Sequence, residues 1–283
     1  MNGLAIRCTY VYMELNFKEF GTGEPVVILH GLFGTLDNWQ GIAKKLATEY
    51  TVFILDLPNH GRSPHTEGEI DYETMSDALA EFMLHHWIYE ARVIGHSMGG
   101  KLAMQFALSN PDIVKKLAVI DIAPKRYKTG HQDVFDALFS VDLSLLNDRK
   151  EAEAILMDRL KGDTGTVQFL LKNLTRNNPF NKDEPKNAQN AKNTEGGYFE
   201  WKMNLQGLFD NYENILQAPV GDPFLKPTLF IRGGSSPYIK DTDVQYITPL
   251  FPKATLETIE GAGHWVHADK PKELYEILNH FLT

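Results

Sequence analysis

Six short apolar runs recur along the chain: PVVILH (25–30), TVFILD (51–56), ARVIG (91–95), KLAVID (116–121), PTLFIR (227–232) and ATLETIE (254–260). Runs that are apolar at successive positions suit strands covered on both faces, as in a parallel sheet. Helical patterns lie between them. DNWQGIAKKLATE (37–49) follows the first run, DYETMSDALAEFMLHHW (71–87) the second and GGKLAMQFALSN (99–110) the third, and PKELYEILNHFL (271–282) closes the chain. Strand and helix repeating in this order predict an α/β fold: a doubly wound, mostly parallel central sheet with flanking helices and right-handed crossovers.

The alternation stops between about Lys125 and Pro219. That stretch carries helical patterns such as HQDVFDALFSVDLSLL and RKEAEAILMDRLKG. An Asn-rich piece, RNNPFNKDEPKNAQNAKN, follows, and then YFEWKMNLQGLFDNYENIL. No buried-strand run occurs in it, so the expectation is a wholly helical cap or lid at 125–219, inserted into a core formed by 1–124 and 220–283. The Asn-rich piece reads as a surface loop.

Composition excludes several classes. The 283 residues carry a net charge of −9 with no block of Lys and Arg, which argues against nucleic acid as a partner. The single cysteine, Cys8, allows no intramolecular disulfide and fits a reducing compartment. No apolar stretch approaches the ~20 residues a membrane helix needs. The opening MNGLAIRCTYVY makes a poor signal peptide, so the predicted location is cytoplasmic. A second methionine, Met13, begins strand-like sequence, and residues 1–12 read as a dispensable extension.

Chemistry enters at VIGHSMGGKLA (93–103), where Gly95, Ser97 and Gly99 spell G-x-S-x-G between a strand run and a helix pattern. A tight strand-to-helix turn strains the serine backbone and brings neighbouring chain so close that side chains at the glycines would collide. The turn lifts the hydroxyl over a helix N-terminus, which favours developing negative charge. Ser97 is thus the candidate nucleophile. It needs a base, and His264 in ETIEGAGHWVHADKP follows the last apolar run, on a loop able to cross the carboxyl edge of the sheet. His267 is its rival. LHGLFG (29–34) leaves the first central strand on a glycine-containing turn. Such a loop can aim the Leu32 N–H at the point reached by the N–H of Met98, making two donors for an oxyanion. His30 reads as a support of that loop.

Together LHGLFG, DLPNHGRS (56–63), GHSMGG and GAGHWVHADKP, in that order, resemble the α/β-hydrolase fold family across nearly the whole chain from Met13. DLPNHGRS looks like the family's D-x-P-G-H-G-x-S element with Asn59 in place of a glycine, an element that is usually structural. The family's usual acid follows the penultimate strand in a G-x-x-D pattern, where this chain has RGGSSPYI and hence Ser236. Asp241 and Asp243 lie further along. A second place is the end of the strand after the nucleophile helix, where AVIDIAP offers Asp121, a carboxylate whose burial is costly unless it is paired. The pairing of IDIAP with GGSSPY looks most like a bacterial acyl-esterase branch similar to human abhydrolase domain-containing protein 11. That resemblance implies Asp121 as the acid and Ser236 as an auxiliary hydrogen-bonding group.

The resemblance implies a serine hydrolase cleaving carboxylic esters of short to medium acyl chains through an acyl-enzyme, acting on a small-molecule substrate with no metal or organic cofactor. Acyl thioester hydrolysis is the alternative, as is a ligand-sensing protein that turns its signal over slowly. Phe135, Phe199, Trp201 and Phe209 are candidates for an apolar acyl pocket or for the core of the cap.

Overall fold

A computed structural model describes residues 13–177 and 197–283. The expectations for Cys8, for residues 1–12 and for most of the Asn-rich piece lie outside the described residues. Seven strands form the main sheet in the order β1–β3–β2–β4–β5–β8–β9. They are β1 (Phe17–Phe20), β2 (Glu24–Leu29), β3 (Tyr50–Leu55), β4 (Ala91–His96), β5 (Val114–Ile120), β8 (Thr228–Gly233) and β9 (Ala254–Ile259). Only β1 runs antiparallel, against β3; the other neighbours are parallel.

The apolar runs dictate this arrangement. Successive side chains of a strand point to opposite faces. Accordingly Val26 and Ile28 join the apolar cluster under α1 (Gln40–Leu46) and α11 (Pro271–Leu282). Val27 and Leu29 join the larger cluster with α2 (Tyr72–His85) and α3 (Met98–Ser109). A run with polar residues at every second position would leave one of these helical layers without apolar surface to cover.

Strand order reverses around β2: the chain moves outward to β3, then returns to place β4 on the other side of β2. The carboxyl ends of β2 and β4 therefore flank a topological switch point, the crevice where open α/β sheets bind ligands. Both the LHGLFG turn and Ser97 emerge there.

The stretch after β5 holds α4 (Gln132–Phe139), α5 (Arg149–Arg159), α6 (Thr164–Leu171), α7 (Leu205–Asp210) and α8 (Tyr212–Ile215). It is not wholly helical, and this corrects the expectation. β6 (Leu174–Asn177) and β7 (Tyr198–Trp201) pair antiparallel, with Leu174 opposite Trp201 and Arg176 opposite Phe199. Three aromatic residues in YFEW favour a pleated surface, a signal that the longer helical pattern behind it obscured. Among the described residues, no helix is long and apolar enough to cross a membrane. Helix α9 (Val244–Leu250) lies between β8 and β9, and α10 (Val266–Asp269) just before α11.

Candidate active site

The nucleophile turn has the geometry the glycines predict. Ser97 caps α3 at φ +54° and ψ −120°, outside the regions ordinary side chains occupy. A Cβ on Gly95 would sit 2.1 Å from the Gly99 carbonyl oxygen, and one on Gly99 would sit 2.3 Å from that of His30. Both collisions are with backbone that has no room to move. The strained serine is held in turn by its own N–H, which donates to the Ile120 carbonyl at 3.0 Å.

His264 lies on the loop between β9 and α10. Its Nε2 is 2.9 Å from Ser97 Oγ, and its Nδ1 is 2.7 Å from Asp121 Oδ2. A carboxylate only accepts, so Nδ1 carries the proton and Nε2 is left to accept from the serine hydroxyl. Asp121 is fully buried immediately after β5, at φ +53°. The Gly233 N–H donates to its Oδ1 at 3.0 Å, and the Ser236 hydroxyl donates to Oδ2. A buried carboxylate with three donors is satisfied in full, the condition under which such burial is tolerated.

The other candidates stand elsewhere. Asp241 is exposed and pairs with Arg232 at 2.6 Å, while Asp243 is bound to Lys125 at 2.7 Å. His267 stacks on Trp39 with ring centroids 4.8 Å apart, and burial pushes its pKa down to about 4.

Sequence reasoning missed two residues that hold His264. The Nε2–H of His96 donates to the His264 carbonyl at 2.8 Å; burial keeps this imidazole neutral, its pKa well below the usual value. Tyr238 stacks on the His264 ring, and its carbonyl accepts the Tyr127 hydroxyl at 2.7 Å. The available signal was adjacency: His96 precedes the serine, and Tyr238 lies two residues beyond Ser236.

The LHGLFG turn closes with the Gly34 N–H donating to the Gly31 carbonyl at 2.9 Å and with Phe33 at φ +59°. Two buried imidazoles brace it. His30 donates from Nδ1 to the Gly31 carbonyl at 2.8 Å and accepts the Leu57 N–H at Nε2 at 3.0 Å. His60, from DLPNHGRS, accepts the Phe33 N–H at 3.2 Å and donates to the Pro58 carbonyl at 2.9 Å. Desolvation lowers their pKa values to about 4 and about 3, so both stay neutral and keep an acceptor nitrogen. Asn59 replaces the family's glycine at φ +62°, a conformation its short polar side chain tolerates. Leu32 sits within this turn, and Met98 is the first residue of α3, where an N–H has no intrahelical acceptor.

Two cavities meet at Ser97, of about 260 and 560 Å³. His264, Trp39, Phe169 and Leu170 border the smaller, and Met98, Lys101 and Tyr127 the larger; Ser97, Leu32, His131 and Tyr238 border both. None of Phe135, Phe199, Trp201 and Phe209 borders either. Phe135 is fully buried against Phe33, Phe209 and Tyr212 and packs as core rather than as cavity lining.

The chain matches the family model described as alpha/beta hydrolase fold over residues 24–271. It is 34% identical to esterase YbfF of Escherichia coli over 92% of this chain and 93% of that protein. It is 35% identical to the sn-1-specific diacylglycerol lipase ABHD11 of Mus musculus over 91% of this chain and 80% of that protein. A solved marine microorganism esterase superposes with a TM-score of 0.86 at 40% identity, over 95% of this chain and 99% of its own. With motifs, sheet order and relatives agreeing over nearly its whole length, the chain belongs to the α/β-hydrolase fold family.

Proposed function

We propose that this protein is a cytoplasmic serine hydrolase that cleaves carboxylic esters of short to medium acyl chains through an acyl-enzyme. One observation carries the reading: Ser97, His264 and Asp121 form an unbroken hydrogen-bonded series at the switch point of the sheet. His264 Nε2 takes the hydroxyl proton as Ser97 Oγ attacks the acyl carbon, and Asp121 holds the resulting imidazolium. Negative charge moves to the carbonyl oxygen, which takes hydrogen bonds from the N–H groups of Leu32 and Met98 beside the positive end of α3. The same histidine then gives its proton to the leaving alcohol. Water enters by the reverse route and releases the acid. Ser236 holds the acid carboxylate in place and has no proton to deliver to the substrate.

Residues 125–219 act as the cap over a core of 1–124 and 220–283. In support, His131, Val134, Thr166, Phe169 and Leu170 of that segment border the smaller cavity. The names of the relatives, an esterase and a lipase among them, support ester bonds as the target.

The test is hydrolysis of p-nitrophenyl esters from acetate to dodecanoate, with S97A as control. Steady turnover that the substitution abolishes, peaking at short to medium chains, is expected. Turnover that survives S97A would sink the nucleophile assignment, and a single slow turnover would mean a sensor.

A further inference from the structure

The two cavities differ in charge. Five cationic residues border the larger one, Lys101, Lys125, Arg126, Lys128 and Lys240, and among the described residues no Asp or Glu borders it. In a chain of net charge −9 this is a local reversal of sign. Lys125 and Arg126 spend charge on Asp243 and Glu213, neither of which faces the cavity. Lys101, Lys128 and Lys240 have no carboxylate partner among the described residues.

Lys101 is the unusual member. It stands on α3, four residues after Ser97, and is only 2% exposed. Its Nζ donates to the Leu216 and Gln217 carbonyls at 2.7 and 2.6 Å and lies over the Tyr127 ring. An ammonium has three donors, so one remains. Burial and the neighbouring Lys125 push its pKa down to about 7. A buried cation short of counter-charge is stabilised by an anion placed beside it.

Chemistry assigns each cavity a half of the substrate. The proton on His264 Nε2 must reach the leaving oxygen, so the alcohol lies on the side that His264 borders, the 260 Å³ cavity. The acyl chain then extends from the oxyanion side, where Met98 borders the 560 Å³ cavity. We propose that the larger cavity binds an acyl chain ending in a carboxylate, making monoesters of dicarboxylic acids with small alcohols the preferred substrates. This rests on the serine-hydrolase reading above. The reaction is ordinary ester hydrolysis: the acyl–oxygen bond breaks, water supplies the hydroxyl, and the products are the dicarboxylate and the free alcohol.

The experiment measures kcat/KM for the monoethyl esters of glutaric, adipic and suberic acid beside neutral ethyl esters of matched chain length. The ethyl ester of adipic monoamide separates charge from polarity, and the hexanoyl ester of glycolic acid moves the carboxylate to the alcohol. The best dicarboxylate monoester is expected to exceed its neutral counterpart by about tenfold or more at low salt, with the advantage shrinking as ionic strength rises. The double variant K128E/K240E is expected to reverse the charged-to-neutral ratio. That ratio is internal to each protein, so loss of folded enzyme cancels from it. Serine-dependent hydrolysis with no preference for the distal carboxylate would overturn the subsite and leave the esterase standing. Preference for the glycolate ester would overturn the orientation on which it rests. Hydrolysis of none of these esters would remove the esterase reading and the subsite with it.

Discussion

The Tyr238 ring lies face to face with the His264 imidazole, with centroids 3.9 Å apart and planes 17° from parallel. An imidazole hydrogen-bonded at both nitrogens is fixed in its plane, yet it can still swing about the line joining them. The tyrosine face closes that freedom on one side. Stacking of this kind contributes about 0.5–1.5 kcal/mol. Y238A is therefore expected to lower kcat by up to about tenfold. Y238F keeps the stack and should stay within about threefold of the parent. Equal losses in the two variants would assign the effect to the hydroxyl, which lies 3.4 Å from His131 Nε2.

His264 and Ser236 share one oxygen of the Asp121 carboxylate, but removal of the acid and removal of the serine should differ in size. D121N leaves the imidazole without the charge that sets its tautomer and should lower kcat by up to about 10⁴-fold. S236A removes one of three donors to that carboxylate and should cost about tenfold, the scale of a single hydrogen bond. D243N should instead act on stability, by stranding Lys125, and spare turnover per folded molecule. Kinetics on the three purified variants, normalised by active-site titration, separate these outcomes; a catalytic collapse in D243N would move the acid there.

Replacement of the elbow glycines should show in folding before it shows in catalysis. G95A and G99A each force a methyl into backbone at little more than 2 Å. Overpacking of this kind costs about 3 kcal/mol or more, which at this chain length lowers Tm by several degrees. G41A, at a site where an added Cβ meets nothing within 4 Å, is the matched control. Unchanged melting in G95A would mean that the turn relaxes more freely than its geometry implies.

Buried imidazoles set an acid limit on stability. His30, His60 and His267 hold pKa values of about 4, 3 and 4 in the folded chain, each lowered chiefly by desolvation. An unfolded imidazole titrates near 6.5. Below that pH the unfolded chain takes up protons that the folded chain refuses, so stability is complete above 6.5 and falls as pH drops toward 4. Together the three should remove on the order of 5 kcal/mol between pH 7 and pH 5. Urea denaturation across that span should show the midpoint falling steeply. A flat midpoint would mean that these rings are solvated in the folded protein.

Much of this was legible in the sequence because it depends on local pattern. The apolar runs announce strands covered on two faces, and the glycines around Ser97 announce a close backbone approach that no other residue permits. Asp121 was legible as a cost, a carboxylate ending a buried run. What escaped depends on which surfaces meet. Nothing in YFEW shows that it pairs with LTRN across intervening chain. Nothing in the spacing of Phe135 and Phe209 says whether they face each other or a cavity. Tyr238 and His96 act through contacts with His264 that only the folded loops create. Lys101 was hidden for a similar reason: a lysine on an otherwise apolar helix reads as a surface residue until its neighbours are known.

His96, bonded through the chain to Ser97, grips the main-chain oxygen of His264, whose ring in turn touches Ser97. The path from serine to imidazole, along the histidine backbone, across to the preceding residue and home to serine is a small closed linkage. Strands can breathe without entering that loop. The spacing that must survive thermal motion is measured against the residue next door, so the tolerance of the chemistry is set locally rather than by the accumulated slack of a seven-stranded sheet.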